Sequence, residues 1–199
     1  MADTDPKADL QLSLQAARDA LLWKLDGLSE YEVRRPLTPT ATNLLGLVKH
    51  LIGCETRYLG DAFGRPFAEP LPWLEGPAAA EPNADMWATA DESREDIVRL
   101  YGRACAHSDA TVAAFALDDL GHVPHWPEGR AEVSLHRALV HLHAETHRHA
   151  GHADIVRELV DGAAGLRPGS NRLAPGDRGW WEAYRRRVED AAREAQGRE

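Results

Sequence analysis

The run of residues 135–160 restricts this chain more than any other stretch, because its apolar positions recur at the three- and four-residue spacing of a helix with one buried side. Leu135, Leu142, Ala153, Val156 and Val160 fall within about 40° of His149 on a helical wheel, a single stripe of the kind that faces a core. Glu145 and His149 sit inside that stripe, one turn apart. His143 and His147 lie more than about 100° away, beside Asp154 and Glu158, and are expected in solvent. His141 and His152 fall on its shoulders. Six of the ten histidines lie between His136 and His152, so the chemistry of the chain is expected on this helix.

A carboxylate and an imidazole in an apolar stripe need partners, since an unpaired buried charge costs several kcal/mol, of order ~5, or forces the group to neutralise. Residues at i and i+4 meet on one helix face, which is the geometry of a metal chelate. On these two residues alone, a plain Glu–His hydrogen bond packed against another helix is the equal alternative.

The rest of the chain supplies helices to pack against. Leu10, Leu14, Ala17, Leu21, Leu25 and Leu28 mark a first helix, ended by Gly27 and kept from continuing by Pro36 and Pro39. Thr42 or Asn43 caps a second, running to about Asp61 with Leu44, Leu47, Val48, Leu51, Tyr58 and Ala62 on its apolar face. His50 lies at the edge of that face, in line with Asn43 and Cys54. Cys54 reads either as a second ligand beside it or as a small buried thiol. Residues 64–86 carry five prolines and no periodicity, with Trp73 and Trp87 near the ends, as in an ordered functional loop. Asp91 opens a third helix through about Leu117, marked by Ile97, Leu100, Tyr101, Ala104, Val112 and Phe115, with Gly102 as its weak spot. The linker DDLGHVPHWPEGR brings His122 and His125 before the fourth helix, and WWEAYRRRVEDAAREAQ forms a short fifth that Trp180, Trp181 and Tyr184 should dock.

No strand pattern competes. The expected fold is all-α, an up-down four-helix bundle with a short extra C-terminal helix, in one domain over 1–199 with its core at about 10–165 and an extension at 166–199. His50 can point at Glu145 and His149 only if the second and fourth helices are neighbours.

A chain of 199 residues with 43% hydrophobic and 28% charged residues has the balance of a globular protein with one sizeable core. Its net charge of −9 excludes the basic face of a nucleic-acid binder, and the run Arg185 to Arg187 is diluted by Glu182, Glu189 and Asp190. No stretch approaches the roughly 18 to 20 apolar residues of a membrane span, and the polar start is not a signal peptide. A cytoplasmic protein is expected, with Cys54 and Cys105 as reduced thiols.

The segments WKLDGLSE, RRPLTPTATNLLGLVKHLIGCE and VSLHRALVHLHAETHRHAGHADIVRELVDG together resemble the DinB-like (YfiT-like) superfamily of small four-helix metalloproteins, specifically its actinobacterial branch that works with low-molecular-weight thiols. The resemblance covers about residues 10 to 165. It implies that His50, Glu145 and His149 bind one divalent metal, most naturally zinc, with nickel or iron also accepted by this donor set. Members similar to mycothiol-dependent maleylpyruvate isomerase have glutamate where Glu145 stands. Those isomerases carry an additional C-terminal domain where this chain has a short helix, so the resemblance does not extend to isomerisation of maleylpyruvate. Two imidazoles and a carboxylate leave a coordination position open, as in catalytic sites, and a thiol there is deprotonated to its nucleophilic form. The resemblance therefore implies a thiol S-transferase, with mycothiol as cosubstrate, a small electrophile as partner, Glu145 and His149 as catalytic residues, and a homodimer as an open assembly state. A metal-dependent hydrolase and a non-catalytic, metal-binding stress bundle are the competing readings.

Overall fold

A computed structural model describes residues 5–171 and 173–197. Helix α1 spans Pro6–Leu22 and continues through a 3-10 turn, Trp23–Leu25. Asp5 caps it by accepting from the Lys7 amide, with Pro6 at the first position, where its missing N–H costs nothing. The GLSE segment does more than end this helix. Ser29 and Glu32 form a reciprocal capping box that starts a short helix α2, Glu30–Arg34.

Asn43, not Thr42, caps α3 (Leu44–Leu59) by accepting from the Gly46 amide, and Ser93 caps α4 (Arg94–Ala114) by accepting from Asp96. Gly102 is passed without a break. A one-turn α5 (Glu128–Ala131) precedes the long α6 (Leu135–Asp161), which starts at Ser134 and stops at Gly162 in the left-handed conformation that glycine adopts freely. Helix α7 follows at Arg178–Gln196.

Helix α3 packs on both α4 and α6, and α6 also packs on α1. Leu14, Leu21, Leu25, Leu44, Leu47, Leu51, Tyr101, Leu135, Leu139 and Leu142 fill the centre, each at most 2% exposed. Each buried leucine contributes roughly 1.5–3 kcal/mol of transfer free energy. Inside this apolar centre Arg18 holds Glu55 through two 2.7 Å hydrogen bonds and reaches Asp109 at 2.8 Å, joining α1, α3 and α4.

The end-to-end bonds give the helix directions. Lys7 Nζ donates to the Phe115 carbonyl, His136 N to Leu117, and Arg157 to Lys24. Phe63, just past α3, packs on Phe115, just past α4, at 5.4 Å. Helices α1 and α6 thus run one way, and α3 and α4 the other, with the long 60–93 connection carrying the chain back along the bundle between two helices of the same sense.

Two expectations are corrected. The linker before α6 is not free of strands: β1 (Leu120–His122) pairs antiparallel with β2 (Glu132–Ser134), Leu120 opposite Ser134. Three-residue strands are too short to display a period of two. The aromatic residues of α7 also dock it only loosely, Trp181 alone among them being half-buried. No residue of α7 is buried, Trp180 and Tyr184 stay 39% and 42% exposed, and their rings stack on each other at 5.3 Å.

Candidate metal centre

The packing of α3 on α6 meets the geometric demand posed by the sequence. Asn43 fixes the start of α3 and the Ser134 cap fixes that of α6, so their apolar faces meet with His50 on one side and Glu145 and His149 on the other. The His50 and His149 rings stand edge to face, 4.8 Å between centroids. Glu145 Oε2 lies 3.5 Å from His149 Nε2. One donor atom from each of the three side chains falls within 4.8 Å of the others. His149 is buried, and His50 and Glu145 are half-buried.

Bonds of 2.0–2.2 Å to zinc separate tetrahedral ligands by about 3.4 Å, so closing the cluster on an ion takes roughly an ångström of side-chain movement. The donor set fits a divalent cation: two imidazoles and one carboxylate, whose other oxygen, Oε1, lies 3.8 Å from the guanidinium of exposed Arg148.

Further polar groups stand against this trio. His50 Nδ1 lies 2.7 Å from Asp85 Oδ2, which leaves Nε2 as the nitrogen available for ligation. Cys54 Sγ, 3.5 Å from that same Nε2, belongs to a thiol only 8% exposed. His152, on the shoulder of the stripe, brings its Nδ1 to 3.4 Å from His149 Nδ1. His141 and His125 touch no ligand. They form an aromatic layer with Tyr58 and Trp126, in which His125 Nε2 lies 3.2 Å from the Tyr58 hydroxyl and His141 packs edge-on against Tyr58 at 4.4 Å.

His147 is exposed as expected, but His143 is not. Its Nδ1 lies 3.0 Å from the Leu139 carbonyl, its Nε2 is buried without a partner, and it feels the charges of Arg18 and Glu55. Helix α6 packs on two helices, which widens its buried arc beyond the one stripe that a wheel reveals. His122 is exposed in β1, away from the centre.

The two facing imidazoles are driven apart in basicity. Burial works against a charge on His50, but hydrogen bonds to Asp85 and Cys54 outweigh it and push the pKa up to about 10. Burial and then the charge of His50 push His149 down to about 4. The hydrogen bond from His50 holds Asp85 below its usual range. Without an ion the positive charge thus rests on His50 and His149 is neutral; a ligating imidazole must be neutral, so an ion bound here would displace the His50 proton. Alongside lies a cleft of about 100 Å³ lined by His50, Cys54, Arg57, Tyr58, Asp85 and His125.

The family model described as Mycothiol-S-transferase matches residues 9–162, from within α1 to the glycine that ends α6. The chain belongs to the mycothiol S-transferase family. It is a transferase enzyme of the actinobacterial mycothiol branch, and His50, Glu145 and His149 all fall within the match. No curated protein matches the chain.

Sequence reasoning missed Asp85. It sits in an aperiodic loop, where neither helical nor strand spacing marks a side chain as buried or exposed, and its only signal was the length of that loop.

Proposed function

We propose that this mycothiol S-transferase holds one divalent ion, zinc by preference, on His50, Glu145 and His149, and uses it to join the sulfur of mycothiol to a small electrophile. The reading rests on one observation: three donors of a catalytic type converge from facing helices to within 4.8 Å, with a carboxylate behind one imidazole. A divalent ion held there supplies a Lewis acid that lowers the pKa of a thiol placed against it, so that the nucleophilic thiolate is present at neutral pH.

The chain's own groups do the rest. Asp85 and His152 hold the two imidazoles in orientation from behind. Glu145 is the carboxylate at the reacting position and the group to receive the thiol proton. The electrophile approaches along the cleft beside His50, where Leu74 and Tyr58 provide apolar wall and Arg57 the positive charge. A reducing, cytoplasmic setting suits both a thiol cosubstrate and the two free cysteines; among the described residues no helix is long and apolar enough to cross a membrane.

The test is turnover of a generic electrophile by metal-loaded protein with and without mycothiol, repeated with Glu145→Gln and His149→Ala. Strict dependence on the thiol, a fall of roughly 100-fold in Glu145→Gln, and loss of most bound metal in His149→Ala are expected. Thiol-independent hydrolysis at an undiminished rate overturns the transferase chemistry, and full metal occupancy in His149→Ala overturns the ligand set.

A further inference from the structure

Along one edge of α3 the residues Asn43, Gly46, Lys49 and His50 recur at helical spacing, and every one of them meets the segment 85–92. Asn43 Nδ2 donates to the Met86 carbonyl at 3.1 Å. At Gly46 the backbone of the two segments comes so close that an added Cβ would stand 1.8 Å from the Met86 oxygen, so only glycine fits. Lys49 Nζ, almost wholly buried, donates to the Trp87 carbonyl at 2.9 Å and pairs with Glu92 at 2.8 Å. The last rung is Asp85 on His50. The loop is shaped from its own side as well: Asn83 takes the left-handed conformation, φ 61°, and its carbonyl accepts from Met86 N at 2.8 Å, a tight turn that carries Asp85.

A surface loop carrying a carboxylate to a histidine by accident would not be fastened at three other points on the same helix edge, one of them a buried ammonium. We infer that Asp85 is a positioning residue of the metal centre, and that the 83–92 segment is built to deliver it. Its carboxylate accepts the Nδ1 hydrogen of His50, so that Nε2 is the nitrogen left to give up its proton and ligate, and it sets the ring plane before an ion arrives. Asp85 touches neither ion nor substrate, so it acts wholly through His50. This inference rests on the proposed ligand set, and the experiment separates the two.

Zinc affinity is measured by competition with a chromogenic chelator for the wild type and for Asp85→Asn, which keeps the shape of the side chain but removes its charge. The variant should bind zinc about 10 to 100-fold more weakly, the usual effect of losing an outer partner of a ligating histidine. In the zinc-loaded wild type the His50 Nδ1 proton should appear as a downfield resonance in the proton spectrum, and this resonance should be missing from the variant. The far-UV circular dichroism of the metal-free variant should match that of the metal-free wild type, which separates positioning from a general loss of structure. Affinity in Asp85→Asn within about twofold of wild type overturns the inference while leaving the metal centre standing, since 10-fold is the least expected. So does a loss of affinity accompanied by a loss of helical signal in the metal-free variant. A wild type that binds no divalent ion overturns the centre itself, and the inference with it.

Discussion

Replacing Arg18 by alanine strips the counter-charge from Glu55, a carboxylate with no exposed surface that two 2.7 Å bonds hold to the guanidinium. Breaking one side of such a pair costs about 3–5 kcal/mol, because the remaining charge stays buried alone. Urea unfolding of Arg18→Ala should register that loss, and the double substitution Arg18→Met with Glu55→Leu should recover most of it; equal stability of wild type and single variant would refute this account of the pair. At the same scale Glu145 and His149 were legible because a polar residue inside an apolar stripe is conspicuous. His50 was less so. It lies at the edge of its helix face, and its direction depends on which helix packs beside it. Asp85 could not be read at all, because its approach to His50 is made by a turn and by backbone bonds to Met86 and Trp87, which leave no period in the sequence.

The helices were legible wherever burial imposes a three- and four-residue rhythm, as in α1, α3, α4 and α6. Where local hydrogen bonding rather than burial sets the structure, the rhythm disappears: α2 rests on the Ser29–Glu32 capping box and the β1–β2 pair on a few backbone bonds. The last turn of α6 is likewise held by specific bonds. Buried Arg157 donates to the Lys24 and Asp26 carbonyls and is steadied by Asp161 at 2.6 Å. The hydrogen bond from Arg157 holds Asp161 below its ordinary pKa. A carboxyl whose folded pKa is depressed stabilises the fold fully above its unfolded value of about 3.9, and that contribution disappears as pH falls through the folded pKa. The melting-temperature advantage of wild type over Asp161→Asn should therefore be constant above about pH 5 and shrink toward about pH 3. An advantage unchanged across that window would assign the effect to something other than this charge.

At the scale of the whole molecule, α7 stands apart. It buries no residue, lies beyond the family match, and faces the end of α6 across a cleft of about 510 Å³ lined by Glu158, Gly162, Trp181, Tyr184 and Val188. A chain ended after residue 172 should melt within about 2–4 °C of the full protein, the shift that ~1 kcal/mol gives in a domain of this size, and should keep its affinity for zinc; a larger drop in a calorimetric scan would mean that α7 supports the bundle after all. The same molecule-wide view bears on the order of assembly. His50 belongs to α3, Asp85 to the connection that follows, and Glu145 and His149 to α6, the last helix of the bundle. Contacts spanning so much chain form late, since the loops between them must close first. A nascent chain that has emerged only as far as α4 owns one imidazole of the proposed centre and the carboxylate behind it, and neither donor from α6. Ion capture would thus require the chain to have emerged through α6, and no copy that stops short of that helix would be able to activate a thiol.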